Sequence, residues 1–203
     1  MTYDTKLVAG KLRRWEKYLE NYRLPSWREI PDIGLYMEQV IVLLKEYLDY
    51  LPPELKDEQI ITAAAINNYV RTRIMPEPVK KKYYRTHIAY LVMICTLKQT
   101  IPIAVVSKII PNGINDEEVR QIYEKYTQQH CNSVQYFLKQ IRLLAGPILE
   151  HEEILPESSE DPADLINICT ILSGLAKLLA EKLLLLEGKD LQTGGSIEIR
   201  ADK

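Results

Sequence analysis

Apolar side chains recur three and four residues apart along almost the whole chain, the spacing of helices that each bury one face. Over residues 5–22 the stripe is Val8, Leu12, Trp15, Leu19 and Tyr22. Pro25 and Pro31 then interrupt the pattern around Trp27. A second helix is predicted at about 34–51, with Met37, Val40, Ile41, Leu44, Leu48 and Leu51 on one side, closed by Pro52-Pro53. Thr62 is a good N-cap for a third, running to about Arg73. Pro76 and Pro78 forbid its continuation, and the residues up to Arg85 favour an extended strand or a β-turn. Two helices follow, at about 86–99 (Ile88, Leu91, Val92, Ile94, Cys95, Leu97) and at about 102–110, opened by Pro102 as a first helical residue. Pro111-Asn112-Gly113 reads as a turn. Asn115, with Glu118 three residues on, begins a long helix in the manner of a capping box. Its inward face reads Val119, Ile122, Tyr126, His130, Val134, Phe137, Ile141 and Leu144, and Gly146-Pro147 ends it. Residues 147–161 are polar and acidic and read as a loop. Asp161-Pro162 opens the last helix, which carries Leu165, Ile168, Leu172, Leu175, Leu179, Leu183 and Leu186, and Gly188 ends it. Residues 191–203 read as a loose tail, and no internal repeat is present.

Composition narrows the class. At 203 residues the chain makes one domain or two small ones. Eight glycines and a single phenylalanine argue against a β-sandwich or barrel, which needs many tight turns. Thirteen tyrosines suggest aromatics with one end at a wet surface. Cys95, Cys131 and Cys169 are well spaced, with no CxxC, which fits a reducing cytosol and small buried thiols rather than a disulfide scaffold. No run of 18 apolar residues occurs, and Met1 to Lys17 is charged and amphipathic, so neither a membrane span nor a signal peptide is expected. The expected location is the cytoplasm.

Charge is unevenly spread. Residues 1–59 carry 9 basic and 11 acidic side chains, a balance of −2. Residues 114–190 carry 7 and 14, a balance of −7. Between them, residues 60–108 hold eight cations (Arg71, Arg73, Lys80, Lys81, Lys82, Arg85, Lys98, Lys108) against Glu77 alone, a balance of +7. A solvated face usually mixes both signs, so this segment reads as a footprint for a polyanion.

The third helix sits inside that segment. At ~100° per residue, Ala63, Ile66, Tyr69 and Val70 share one face, while Ala64, Asn68 and Arg71 share the other, flanked by Asn67 and Thr72. An apolar back with a small–Asn–Arg front suits a recognition helix in a DNA major groove. Asn can bond an adenine edge, Arg a guanine, and Ala lets the backbone approach. The second and third helices would form the helix-turn-helix pair. Lys80, Lys81, Lys82, Tyr84 and Arg85 would grip phosphates from a wing, since adjacent cations neutralise backbone charge without reading bases. His87, at the start of the next helix, is a further candidate for phosphate.

At these residues the sequence resembles the MerR-like winged helix-turn-helix group. Thr62 to Met75 runs without a gap along that group's second helix, Pro76 to Arg85 looks like its wing, and Ile88, Leu91, Ile94 and Leu97 look like its next helix. Asn67 and Asn68 stand where the group usually has Arg and an aromatic, and Arg73 where it usually has glycine. A closer resemblance is to an uncharacterised Firmicutes family, domain of unknown function 1836, echoed by Tyr36-Met37-Glu38-Gln39-Val40, Ile66-Asn67-Asn68-Tyr69-Val70, Lys80-Lys81-Lys82-Tyr83 and His87-Ile88-Ala89 over about residues 25–110. The resemblance implies a DNA-binding regulator.

Other chemistry is thin. No GxGxxG or Walker lysine motif occurs, His151-Glu152-Glu153 lacks the HExxH spacing, and His130 on its apolar stripe reads as a satisfied core histidine. The expectation is not an enzyme, with no cofactor, no metal and no catalytic residue. The expected fold is mainly α. It comprises an N-terminal helix over 1–24, a winged helix-turn-helix over 25–110, a helical dimerisation module over 114–190 and a tail over 191–203. Ala64, Asn67, Asn68 and Arg71 are the expected base readers. An intramolecular core is the default for the leucine stripe of the last helix; because one partner face cannot cover the Leu183–Leu186 turn, Leu172, Leu175, Leu179, Leu183 and Leu186 are the expected dimerisation residues, in a seam with the 115–145 helix. Double-stranded DNA and a second copy are the expected partners, and an unidentified small-molecule effector is left open. A helical adaptor binding a protein or an acidic partner through the same basic face remains the alternative.

Overall fold

Nine consecutive residues of one helix, His87 to Cys95, are buried, and the N-terminal part of the chain is arranged around them. The computed structural model describes residues 3–50, 61–149 and 158–190. Among these it is mainly helical, with α1 (Thr5–Asn21), α2 (Met37–Tyr47), α3 (Ala63–Arg71), α4 (Arg85–Leu97), α5 (Ile103–Ile109), α6 (Asp116–Leu144), α7 (Gly146–Leu149) and α8 (Pro162–Leu185). The Pro52-Pro53 turn, the His151-Glu152-Glu153 run and the 191–203 tail lie outside the described residues.

The chain forms two compact units, Lys11–Ile141 and Met1–Gly10 with Arg142–Lys203. In the first, α4 is apolar on every side and is therefore enclosed on every side. It packs against α2 and α5, and α3 packs against α2. Ile30, Val40, Leu44, Ile66, Met75, Ile88 and Leu91 form one continuous core with Val119 and Tyr123 of α6. That core runs past residue 110 into the first turns of α6. Buried tyrosines join it by bonding backbone carbonyls: the Tyr123 hydroxyl donates to Pro25 O at 2.8 Å and the Tyr90 hydroxyl to Pro111 O at 2.7 Å. Many of the tyrosines expected at a wet surface are instead core residues whose polar end is satisfied internally. In the second unit the buried apolar residues are Ala9, Ala145, Ile148, Leu149 and Leu165.

Helix ends follow the chemistry of their caps. Asn115 Oδ1 accepts from the Glu118 N–H at 3.0 Å, while the Asn115 N–H donates to Glu118 Oε2 at 2.9 Å, a reciprocal capping box. Asp161 Oδ1 accepts from the Ala163 N–H at 2.8 Å, with Pro162 in the first turn of α8. Thr62 Oγ1 accepts from the Ala65 N–H at 3.1 Å.

Several expectations are corrected. The second helix is shorter than 34–51, because Leu35 is taken up by a β-bridge to Tyr83 and the chain turns at Leu48 to Tyr50. Pro102 is the N-cap of α5 rather than its first residue. Gly146-Pro147 begins α7 instead of a loop, and its Gly146, Ile148 and Leu149 are buried. Ala63 is exposed, not part of the inward face of α3. On α6, Phe137 is exposed, whereas Leu138 is buried, and Tyr123 is buried because the start of the helix joins the core around α4. Only Cys95 is a buried thiol; Cys131 and Cys169 are half-buried.

Candidate nucleic-acid interface

The back of α3 is fixed by Ile66 and Tyr69, both buried, and by Lys98, whose ammonium donates to the Tyr69 hydroxyl at 3.0 Å and lies 5.7 Å from the ring centre. Ala64, Asn67 and Arg71 are thereby turned to water. Asn68 is half-buried, and its Oδ1 accepts from Arg71 Nη2 at 2.7 Å. With its acceptor engaged, Asn68 orients the guanidinium beside it, while Asn67 keeps a free-standing amide at the surface.

The helix ends in a Schellman motif: the Ile74 N–H donates to Tyr69 O at 2.9 Å and the Arg73 N–H to Val70 O at 3.0 Å. The residue at the left-handed position is Arg73, at φ 56°, where glycine is the usual occupant. The chain then descends to a tight hairpin. Val79 and Lys82 exchange both backbone hydrogen bonds at 3.0 Å, and the two residues between them, Lys80 and Lys81, lie at φ 50° and 64°. Two positive φ values in succession define a type I′ turn, which prefers Asn-Gly and disfavours a branched or long side chain. Among the described residues, Arg73, Lys80 and Lys81 are the non-glycine positions with positive φ. All three are cations, and each left-handed L-residue costs roughly 1 kcal/mol.

Three devices hold the hairpin in place, and none of them is visible as a motif. Leu35 and Tyr83 exchange two backbone bonds at 2.8 Å, tying the hairpin to the segment before α2. Gly34 makes room for this: a Cβ there would lie 2.8 Å from Lys82 Cδ and 2.9 Å from Tyr84 Cζ. His87 secures the base. Its Nδ1 accepts from the Tyr84 N–H at 3.1 Å, so the ring proton sits on Nε2, which donates to Glu77 O at 2.9 Å. One buried imidazole thus clamps both arms to α4, which corrects its candidacy as a phosphate contact.

The remaining cations divide. Lys80 and Lys81 are exposed. Lys82 is half-buried, its ammonium 5.3 Å from the centre of the Tyr36 ring, and Tyr84 is exposed on one side. Arg85 is committed to the fold: Nε donates to Ile30 O at 2.9 Å, the guanidinium lies 5.8 Å from the Trp27 ring centre, and Asp32 is 3.5 Å away.

Elsewhere, an open cavity of about 760 Å³ is lined in part by Arg14, Lys17, Tyr18, Arg23, Glu29 and Tyr47. Two of its lining pairs are engaged with each other. Arg23 and Glu29 form a two-bond pair at 2.6 Å that holds the Glu29 carboxyl far below the ordinary range, and Tyr18 donates to Asp49. His130, expected to be a satisfied core histidine, is half-buried between Tyr22 and Tyr50, and its Nδ1 has no hydrogen-bond partner. Burial lowers its pKa. Burial also pushes the Cys95 thiol up to about 12, far from the thiolate range of a nucleophile. Among the described residues no group of three or more His, Cys, Asp or Glu side chains could hold a metal ion, and no helix is long and apolar enough to cross a membrane.

No curated protein and no solved structure matches the chain. A family model described as "Domain of unknown function (DUF1836)" matches residues 25–128, which span α2 to the first half of α6 and so include α3, the hairpin and its clamps. That match covers just over half of the 203 residues, and the chain belongs to this family.

Proposed function

We propose that the protein is a DNA-binding transcriptional regulator in which α2 and α3 act as a helix-turn-helix pair and the 79–82 hairpin as its wing. Ala64, Asn67 and Arg71 face base edges in the major groove, with Asn68 setting the direction of Arg71. Lys80, Lys81, Lys82 and Tyr84 meet phosphates, joined by Arg73. The observation that carries this reading is the placing of cations at Arg73, Lys80 and Lys81, three backbone positions where glycine or asparagine would be more stable. Strain held at a solvent-facing turn implies that the side chain is wanted for something other than folding. A phosphate backbone, which binds point charges without regard to sequence, is the partner that rewards it.

Fluorescence anisotropy on a labelled duplex tests this. Affinity should fall by roughly 10³ or more between 50 and 200 mM salt if six or more phosphates are neutralised. A titration that stays flat across that range, or shows no preference for duplex, contradicts the reading and favours an acidic protein on the same face. Arg71→Ala should relax sequence preference at a cost of about 1–3 kcal/mol, whereas replacing Lys80 to Lys82 should weaken all sequences alike. Selection of the same motif by both variants would contradict that division of labour.

A further inference from the structure

The apolar side of α8 has no cover among the described residues. Leu165 is its one buried residue, while Ile171 is 62 % exposed, Leu175 57 %, Leu179 62 % and Leu183 61 %. Exposed apolar positions recur seven apart, Leu172 with Leu179 in one column and Ile171, Leu178 and Leu185 along one flank, while half-buried Leu186 and Lys182 continue the columns of Leu172 and Leu175. Lys177 and Glu181 pair at 3.9 Å on the other side of the helix. Lone surface leucines are ordinary, but a contiguous stripe is a docking surface, and a heptad stripe is shaped for another helix of the same pitch.

We propose that α8 pairs antiparallel with α8 of a second copy of this chain, centred near Lys177. This rests on the exposure of α8 and is independent of the DNA reading. Area favours a second copy: seven apolar side chains of the stripe, each about half in water, amount to on the order of 700 Å², close to the share each partner contributes to a stable interface. Charge and flank composition favour the antiparallel sense. A parallel, in-register pair sets Lys182 against Lys182 of the partner subunit and faces Ile171 toward the smaller Ala176, with Leu178 toward Leu183. Reversing one helix packs Leu175 on Leu179 of the partner subunit and Leu178 beside Leu178 of the partner subunit. It also brings the two large apolar flanks together and opposes the helix dipoles.

Light scattering on the full chain should give twice the 23.5 kDa of one copy, and Leu175→Lys with Leu179→Lys should weaken the dimer at least about a hundredfold. Far-UV circular dichroism of that variant should match the parent, since neither position is buried within one copy. A monomeric parent, or a double variant that stays dimeric, overturns the proposal. Single-cysteine variants in a Cys95→Ala, Cys131→Ser, Cys169→Ser background read the orientation even if the lysine variant folds poorly. A short bismaleimide should link Leu178→Cys to its copy and leave Leu172→Cys unlinked, because the latter sits ~15 Å along the axis from its own copy. The reverse pattern overturns the antiparallel arrangement.

Discussion

The helices α4 and α8 are both apolar around most of their circumference, yet α4 is enclosed from His87 to Cys95 and α8 has a single buried residue. The difference lies in their neighbours. α4 is enclosed by α2, α5 and the start of α6, so its apolar surface stabilises the monomer. Beyond its first turns α8 has no such surroundings, so the same chemistry acts on whatever the helix meets in solution. An apolar helix is therefore a statement about burial, and only the rest of the molecule decides whether that burial is within one chain or between two.

Substituting each helix in turn gives the largest contrast. Leu91→Ala in α4 should cost about 2–5 kcal/mol, because a fully enclosed leucine leaves a cavity. Leu183→Ala in α8 should change the unfolding of the separated monomer by no more than about 0.5 kcal/mol. Urea denaturation at low and high protein concentration separates the two effects, and equal losses would break the contrast. Gly34→Ala should cost about 1–3 kcal/mol through overpacking against Lys82 and Tyr84. It should also weaken duplex binding while leaving the α8 dimer intact, as light scattering on the same sample would show. Asn115→Ala, which removes the capping box of α6, should cost about 1 kcal/mol in a thermal melt.

The smallest effect belongs to His130. Its folded-state pKa lies below the ordinary histidine value, so between the two the unfolded chain binds a proton that the folded chain does not. Its contribution to stability is complete above the unfolded value, ~6.5, and is lost as pH falls through that value toward the lowered one. His130→Gln should flatten the pH dependence of stability in that window. An unchanged slope would assign the acid sensitivity to other groups.

Most helices were legible in the sequence because their signals are local. The Asn115–Glu118 pair, the Asp161-Pro162 start and the period of the α4 and α8 stripes each lie within one element. The clamps on the hairpin were not legible, because they join residues distant in sequence. Gly34 approaches Lys82, Leu35 bridges Tyr83, and His87 reaches back to Glu77. Arg73, Lys80 and Lys81 were visible as charge, yet their backbone conformation runs against turn propensity, and no pattern of residue types announces it. On α3, the facing of Ala64, Asn67 and Arg71 followed from helical geometry, while the engagement of Asn68 by Arg71 depends on side-chain rotamers that spacing does not fix.

The proposed DNA contact requires that Arg73, Lys80 and Lys81 hold strained positions in order to meet a polyanion. The paired substitution Lys80→Asn with Lys81→Gly tests it most directly, because it gives the type I′ turn its preferred residues while removing two charges. Melting and duplex titration across salt should be measured on the same sample. The variant should melt higher, by the equivalent of about 1 kcal/mol, while its affinity falls and its log–log salt slope becomes shallower by about two. A variant that melts higher and binds duplex with the parent's affinity and slope would contradict the account.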